Sequence, residues 1–519
     1  MAGRRIDSPE TVAQAARIGA GWGAASRLAT QAIHLVTTVV LARLLVPDDF
    51  GLIAMAVTVG GLARAVGDFG ISALVVQRGD LDPGFLRAAF TLNSALFLGL
   101  AVVQVLLAPI GGWILDDPRV VGVIAALALA LPCQGLASFT QALLRRDLAF
   151  SKTAKLNLVA VVVTSIVACS LAFVGFGVWS LVAAQFSAPV VVALLAWRLI
   201  PVRLGVDVSA AKRWSREILS FGRFATGNSI VNYLVHNLDY LLIGRLLPTA
   251  QLGFYYFAFE KSRVFSRSVL GLYSNLALPV YSRLNPDREK IRRAYRTATA
   301  ATVFLIAPIV TFLAVHAGLV IPLVFGEKWT PSVIVFQILS VHVVVNALTS
   351  GIGSVFYAVG RPDISFRIVR WIVVPLGIAY LAGAQLAGIF GVALAVAVIK
   401  SAFSLIKLGV CFRFLQWKWV PTLRPALVVI VCATASGLFS FGFGELVLPA
   451  SDWARLFLVA AAYGLVFTVS QLTVNRSGLT MIWRGILGPG GLRWCQSQLP
   501  KLLRTALSIP GARASGQAP

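Results

Sequence analysis

VGVIAALALALPCQGLASFTQALL, residues 121–144, runs through the chain without one charged side chain. A helix of about 20 apolar residues crosses the hydrocarbon core of a bilayer. We find about fourteen such stretches, so the sequence predicts an all-α, polytopic membrane protein. A β-barrel is excluded because its strands alternate over about ten residues, whereas these runs are continuous. The predicted spans are 19–45, 50–77, 86–109, 121–144, 155–174, 176–198, 219–246, 251–276, 297–318, 331–357, 367–384, 387–411, 424–446 and 453–473.

The composition agrees with lipid as the solvent. Only 13% of the 519 residues are charged and 58% are hydrophobic, whereas about a quarter of the residues of a soluble protein are charged. The net charge of +25 is concentrated in every second connection, the pattern of cytoplasmic loops. We therefore expect both termini in the cytoplasm and contact with anionic membrane lipids, not nucleic acid. The basic clusters are 4–5, 145–155, 212–216, 288–293 and 476–513.

No pattern of catalytic or metal-ligating residues is found. The five cysteines are far apart in sequence, which favours neither a disulfide framework nor a metal motif. A G-x-x-x-x-G-K phosphate loop is absent from the sequence. The outer connections are too short to fold over a sugar. We expect no catalytic residue, no metal and no cofactor, and therefore a protein that is not an enzyme.

The chain resembles itself at a constant offset. Arg43 and Arg245 lie 202 positions apart, as do His34 and His236. An even number of spans per repeat keeps both copies in the same orientation, as in transporters with parallel repeats. The alternative is chance similarity between helices rich in leucine and alanine. The predicted domains are a cytoplasmic amphipathic segment 1–18, six-helix bundles 19–205 and 206–415 facing a central cleft, two further helices 416–475, and a basic interfacial tail 476–519.

Charged residues occur inside the second predicted span. Each charge at the bilayer centre costs at least about 2.5–3.5 kcal/mol, so it needs a structural or functional reason. Arg64 and Asp68 lie one helical turn apart, a spacing at which they can neutralise each other. This pair is either a structural clamp or part of a functional site.

The eighth span carries more cationic than anionic side chains. Glu260, Arg263 and Arg267 follow a spacing that places them on one side of a helix, with Lys261 beside them. One carboxylate does not balance three cations, so this side is expected to face a wet cavity or an anion. The alternative is that these long side chains reach the cytoplasmic surface.

Polar residues also recur at helical spacing on the first and seventh spans. Arg27 begins one stripe, and Asn232, His236 and Asp239 belong to the other. Such stripes either hydrogen-bond a sugar or join neighbouring helices. The candidates for coupling transport to ions are Asp68, His236, Asp239 and Glu260. Other intramembrane polar residues, among them Lys400, are interpreted as structural.

Three segments carry a family resemblance. They are LARLLVPDDFGL at 41–52, QALLRRDLAF at 141–150 and NLDYLLIGR at 237–245. They resemble motifs of polysaccharide flippases of the Wzx/PST type, in the multidrug/oligosaccharidyl-lipid/polysaccharide (MOP) exporter superfamily. The resemblance covers about the first 415 residues and implies twelve core helices in two bundles.

The resemblance implies transport of an undecaprenyl-pyrophosphate-linked oligosaccharide across the bacterial inner membrane for exopolysaccharide, capsule or O-antigen synthesis. A polymerase and glycosyltransferases of the same pathway would be its partners. We expect transport by alternating access. The expected substrate-binding residues are Arg27, Arg64, Asn232, Arg263 and Arg267. The alternatives are an antiporter of small cationic compounds, which the excess of cations disfavours, a membrane-embedded polymerase or ligase, and a scaffold for glycan assembly.

Overall fold

Helices account for nearly all of the residues that the structure describes. The computed structural model describes residue 26 and residues 29–78, 82–147, 149–199, 205–447 and 451–482, and none of these lies in a strand. The predicted segment 1–18 and most of the predicted tail 476–519 lie outside these residues. The all-α prediction is confirmed.

The helices follow one another with short connections. They are α1 Ala29–Leu44, α2 Pro47–Gly67, α3 Ile71–Gln77, α4 Pro83–Leu115, α5 Arg119–Ala128, α6 Leu131–Arg146, α7 Phe150–Phe173, α8 Val178–Leu199, α9 Val208–Leu246, α10 Thr249–Leu284, α11 Arg288–Val315, α12 Ala317–Phe325, α13 Ser332–Thr349, α14 Ile352–Ala358, α15 Pro362–Ala395, α16 Ser401–Leu415, α17 Trp419–Leu446 and α18 Asp452–Val474. A 3₁₀ turn covers Glu327–Trp329, and a π-helical turn covers Val396–Lys400.

Within the described ranges, nine helical stretches are long and apolar enough to cross a membrane. Two other helices, α9 and α10, have 39 and 36 residues and are less apolar because they carry most of the intramembrane polar residues discussed above. The polytopic architecture is thus confirmed, whereas the number of fourteen spans and the arrangement of the repeats stay predictions.

Local sequence explains where many helices begin and break. Asp82, Asp207 and Asp287 each accept a hydrogen bond from a backbone N–H in the first turn that follows, the usual role of an N-cap carboxylate. The backbone of α15 is non-helical at Ala387 and Gly388. This break lies next to the predicted boundary between spans 367–384 and 387–411.

The described residues up to Tyr256 form one compact unit, and those from Phe257 form a second. In the first unit, α9 packs against α2 and α4, and a core cluster includes Phe85 and Phe139. In the second, α17 packs against α11 and α18. α9, which follows the predicted bundle boundary at 205/206, packs against helices of the first unit, and the predicted domains stay predictions.

Candidate functional site

The first turns of α2 and α10 pack backbone against backbone. A Cβ atom on Gly51 would lie 2.0 Å from the carbonyl oxygen of Thr249, and one on Gly253 would lie 1.8 Å from that of Pro47. The offset of 202 relates Pro47 to Thr249 and Gly51 to Gly253. The contact is therefore reciprocal, as at an interface with two-fold symmetry, and it supports the predicted repeat.

An ion-pair cluster joins the beginnings of the same helices to α5. Arg119 binds Asp48 through Nη1 at 2.6 Å and Asp117 through Nη2 at 2.8 Å. The hydroxyl of Thr249 also donates to Asp117 at 2.9 Å. Burial would raise the pKa of Asp117, but the hydrogen bonds from Arg119 and Thr249 outweigh this effect and leave the pKa below its usual value.

Arg64 does not pair with Asp68. Its Nη2 donates to the carbonyl oxygen of Val57 at 3.4 Å, while the carboxylate of Asp68 accepts a short hydrogen bond from Ser72. The expected mutual neutralisation is therefore wrong, because the guanidinium of Arg64 binds the carbonyl oxygen of Val57 and the carboxylate of Asp68 binds the hydroxyl of Ser72. Arg64 makes no ion pair with any residue that the structure describes.

Asp239 on α9 is completely buried in the first unit. The hydroxyl of Tyr255 donates to its Oδ2 at 2.8 Å. A second tyrosine on α9, Tyr233, donates to the carbonyl oxygen of Thr58 at 2.6 Å. These bonds tie α9 to α10 and α2, so Asp239 has a structural role whatever its role in ion coupling.

The second unit contains the other predicted cations. Nη2 of Arg267 lies 2.9 Å from both carboxylate oxygens of Glu260, which confirms that residues 260 and 267 share a side of α10. The guanidinium of Arg263 instead lies over the ring of Phe259, 4.9 Å from its centroid. Among the described residues, Arg263 has no carboxylate partner.

Lys400 is a charged residue that the sequence interpretation treated as structural. Its Nζ lies 5.6 Å from the centroid of Phe259 and 5.8 Å from that of Tyr380. The only sequence signal was a lysine inside an apolar span. Lys400 contacts Phe259 of α10, although the two residues lie more than 130 positions apart in sequence. Hydrophobic periodicity does not reveal such a contact.

The remaining predicted residues are not brought into one site by the structure. Arg27 lies outside the described residues, and Asn232 is on α9 with its side chain outside them. His236 is exposed on the same helix. Arg64 belongs to the first unit, and Arg263 and Arg267 belong to the second. The predicted cleft between the bundles stays a prediction.

Comparison with known proteins agrees with this architecture. The sequence model of a family described as "Polysaccharide biosynthesis protein" matches residues 40–334. The chain is 28% identical over 440 residues to the lipopolysaccharide biosynthesis protein WzxC of Escherichia coli (strain K12), covering 79% of this chain and 86% of WzxC. It is 26% identical over 333 residues to the succinoglycan biosynthesis transport protein ExoT of Rhizobium meliloti (strain 1021), covering 62% of this chain and 65% of ExoT.

A solved structure shares the fold. The lipid II flippase MurJ in an inward closed conformation superposes with a TM-score of 0.69, covering 89% of this chain and 99% of that one. The two sequences are 12% identical, so this similarity concerns the fold alone.

Proposed function

The chain belongs to the polysaccharide biosynthesis protein family, and from that premise we propose that it is a lipid-linked oligosaccharide flippase. The resemblance to polysaccharide flippases predicted from the motifs is confirmed by this match and by the relatives. The proposed cargo is an undecaprenyl-pyrophosphate-linked oligosaccharide. It would pass from the inner to the outer leaflet of the bacterial cytoplasmic membrane, for surface polysaccharide synthesis.

The observation that carries the proposal is the pair of intramembrane arginines without a described carboxylate partner. Arg64 contacts a carbonyl oxygen, and Arg263 contacts an aromatic ring. Arginine stays charged at every physiological pH and binds phosphate oxygens through two parallel hydrogen bonds. A diphosphate group would compensate the cost of placing these charges in the membrane.

Alternating access is the proposed mechanism. The sugar and the diphosphate would lie in the predicted cleft between the bundles, while the polyprenyl chain stays in the surrounding lipid. The reciprocal packing at Gly51 and Gly253 supports this mechanism, because repeat-related helices that meet at one end can separate there and close at the other. Both termini and the basic loops would lie in the cytoplasm.

The cation antiporter is the less favoured alternative. Arg64, Arg263 and Lys400 place positive charge on the described helices, and Glu260, the carboxylate on the same part of α10, is engaged by Arg267. Each unit would therefore repel a positively charged substrate through its own cations. The name of ExoT, a succinoglycan biosynthesis transport protein, points instead to cargo built on a saccharide.

The proposal is tested by the sidedness of the precursor in cells depleted of the protein. A membrane-impermeant glycan probe is applied to spheroplasts and to inverted vesicles. Accumulation of the lipid-linked oligosaccharide on the cytoplasmic face supports a flippase. Accumulation of unpolymerised units on the outer face would contradict it and favour a polymerase or a scaffold.

Arg64→Gln and Arg263→Gln proteins should each restore less transport than the wild type in the same cells. The matched control is Arg293→Gln, because Arg293 is exposed and paired with Glu289 at the start of α11. Full complementation by the Arg64 and Arg263 variants would remove both residues from the site.

A further inference from the structure

The second unit contains a cavity at one end of its last helices. The cavity has a volume of about 500 Å³ and is lined by residues of α11, α12, α17 and α18 and of the turn that follows α12. Ligand pockets of proteins commonly measure about 300–1,000 Å³. The connections beside the cavity, residues 326–331 and 447–451, contain one lysine and no arginine. The positive-inside rule therefore predicts that the cavity lies on the outer side of the membrane.

Carboxylates outnumber cations along the described lining of this cavity. Glu327, Glu445 and Asp452 line it together with the guanidinium of Arg455. Nη2 of Arg455 binds Glu445 at 2.6 Å, and its Nε donates to the carbonyl oxygen of Gly444 at 3.1 Å. Glu327 and Asp452 form no ion pair with any residue that the structure describes. The lining therefore has a net negative charge, which disfavours an anionic ligand.

The rest of the lining combines a buried imidazole with apolar groups. His316 is 6% exposed, and its Nε2 lies 2.9 Å from the hydroxyl oxygen of Ser440. The second ring nitrogen, Nδ1, has no hydrogen-bond partner among the described residues. Val459 is buried, whereas the ring of Phe441 lines the cavity with half of its surface exposed. A ligand in this cavity would thus meet hydrogen-bonding groups and an aromatic surface together.

These groups suit an uncharged ligand with several hydroxyl groups. Within the described part of the chain, no group of three or more His, Cys, Asp or Glu side chains could hold a metal ion. A sugar ring offers hydroxyl donors around its edge and C–H groups on its faces, which matches carboxylate acceptors beside an aromatic ring. An organic cation would also suit the carboxylates. Membership of a polysaccharide biosynthesis family favours the sugar.

We propose that this cavity is a saccharide-binding site that receives the oligosaccharide of the cargo on the outer side of the membrane. Glu327 and Asp452 would accept hydrogen bonds from sugar hydroxyls, and Phe441 would pack against a face of the sugar ring. The cavity is formed by helix ends, so the short outer connections do not prevent a sugar from entering. The inference rests on the proposed function and gives a role to α17 and α18, the two helices beyond the predicted bundles.

A glycine in the lining allows the cavity to be filled without removing a charge. A Cβ atom on Gly318 would meet no atom within 4 Å, so the side chain of Gly318→Leu is expected to occupy part of the cavity. The matched control is Gly464→Leu on α18. A Cβ atom there also meets nothing within 4 Å, and Gly464 is not among the described lining residues. Leucine is favoured over glycine in a helix, so both variants should melt no lower than the wild type.

The probe is the oligosaccharide released by mild acid from the lipid-linked precursor of depleted cells. Its binding to the full-length protein is measured by calorimetry in phospholipid nanodiscs, because detergents with maltose head groups would compete. The wild type should bind, and Gly464→Leu should bind equally well. Gly318→Leu should bind about tenfold more weakly or worse, because the added side chain overpacks the occupied site. Glu327→Gln and Asp452→Asn should each weaken binding about three- to tenfold, since each removes a charged hydrogen-bond acceptor.

Four results would overturn the inference. They are no binding of the oligosaccharide to the wild type, wild-type affinity in Gly318→Leu, wild-type affinity in both carboxylate variants, and equal losses in Gly318→Leu and Gly464→Leu. In the first case, binding of tetraphenylphosphonium that Gly318→Leu abolishes would assign the cavity to organic cations instead. The depletion experiment is independent, since cytoplasmic accumulation of the precursor would uphold the flippase even if the cavity bound no sugar.

Discussion

Replacing Gly51 or Gly253 by alanine should force α2 and α10 apart at their first turns. The added Cβ would meet a backbone carbonyl oxygen at 2.0 or 1.8 Å, whereas ordinary van der Waals contact begins at 3.4 Å. A carbonyl in a helix cannot rotate away like a flexible side chain. The helices must therefore move by more than an ångström, or the contact must open.

The expected cost follows from two opposing effects. Overpacking of a tight contact typically costs about 1–3 kcal/mol, while alanine is favoured over glycine in a helix by about 0.5–1 kcal/mol. The net destabilisation is about 1–2 kcal/mol, which lowers the melting temperature of a domain of this size by roughly 2–8 °C. The double variant should lose less than the sum of the single losses, since one displacement relieves both clashes.

The assay is the apparent melting temperature of the purified protein in detergent, read from the surviving monomer peak. Gly271→Ala is the matched control because Gly271 lies on the same helix α10 with nothing within 4 Å of the added Cβ. That variant should keep or slightly raise the melting temperature. Melting temperatures of Gly51→Ala and Gly253→Ala equal to that of the wild type would refute the reasoning. An equally large fall of the melting temperature in Gly271→Ala would refute it as well.

Three further predictions concern contacts within each unit. Asp117→Asn should lower the melting temperature at pH 7. Because the folded-state pKa of Asp117 lies below the usual value of 3.8, its stabilisation is complete well above that value and is lost as the pH falls through the folded-state pKa. The difference from wild type should therefore stay constant near neutral pH and shrink as the pH falls below 3.8. Tyr255→Phe, which removes the donor to buried Asp239, should cost about 1–3 kcal/mol in the same assay, and unchanged melting would contradict this. Ser440→Ala removes the 2.9 Å contact with His316 and should cost about 1 kcal/mol in the same assay; unchanged melting would contradict this.

Hydropathy was sufficient to predict the class of fold. The charge-free run at 121–144 lies within the helical stretch Arg119–Arg146, and the last two predicted spans coincide closely with α17 and α18. These predictions succeed because backbone polar groups in lipid must be hydrogen-bonded within the segment, and a continuous apolar run satisfies this requirement as a helix. Hydropathy does not predict which helices pack together, since that depends on side-chain shape.

The candidate site was predictable only where its contacts are local in sequence. Glu260 and Arg267 share a helix face through simple periodicity, and the structure pairs them. Arg64 and Asp68 have an equally suitable spacing, but their side chains bind other partners, Val57 and Ser72 respectively. The surroundings of Lys400 were not predicted from the sequence, because its neighbours Phe259 and Tyr380 come from other helices. No periodic pattern encodes such a tertiary contact.

The central claim is tested most directly by transport in proteoliposomes. The purified protein is reconstituted with a fluorescent undecaprenyl-pyrophosphate-linked oligosaccharide, and the fraction accessible to an impermeant quencher is followed in time. We predict that the wild type moves the lipid between leaflets faster than protein-free vesicles, and that Arg64→Gln and Arg263→Gln slow this movement. Exchange by the wild type no faster than in protein-free vesicles, or elongation of the oligosaccharide without a second protein, would contradict the account.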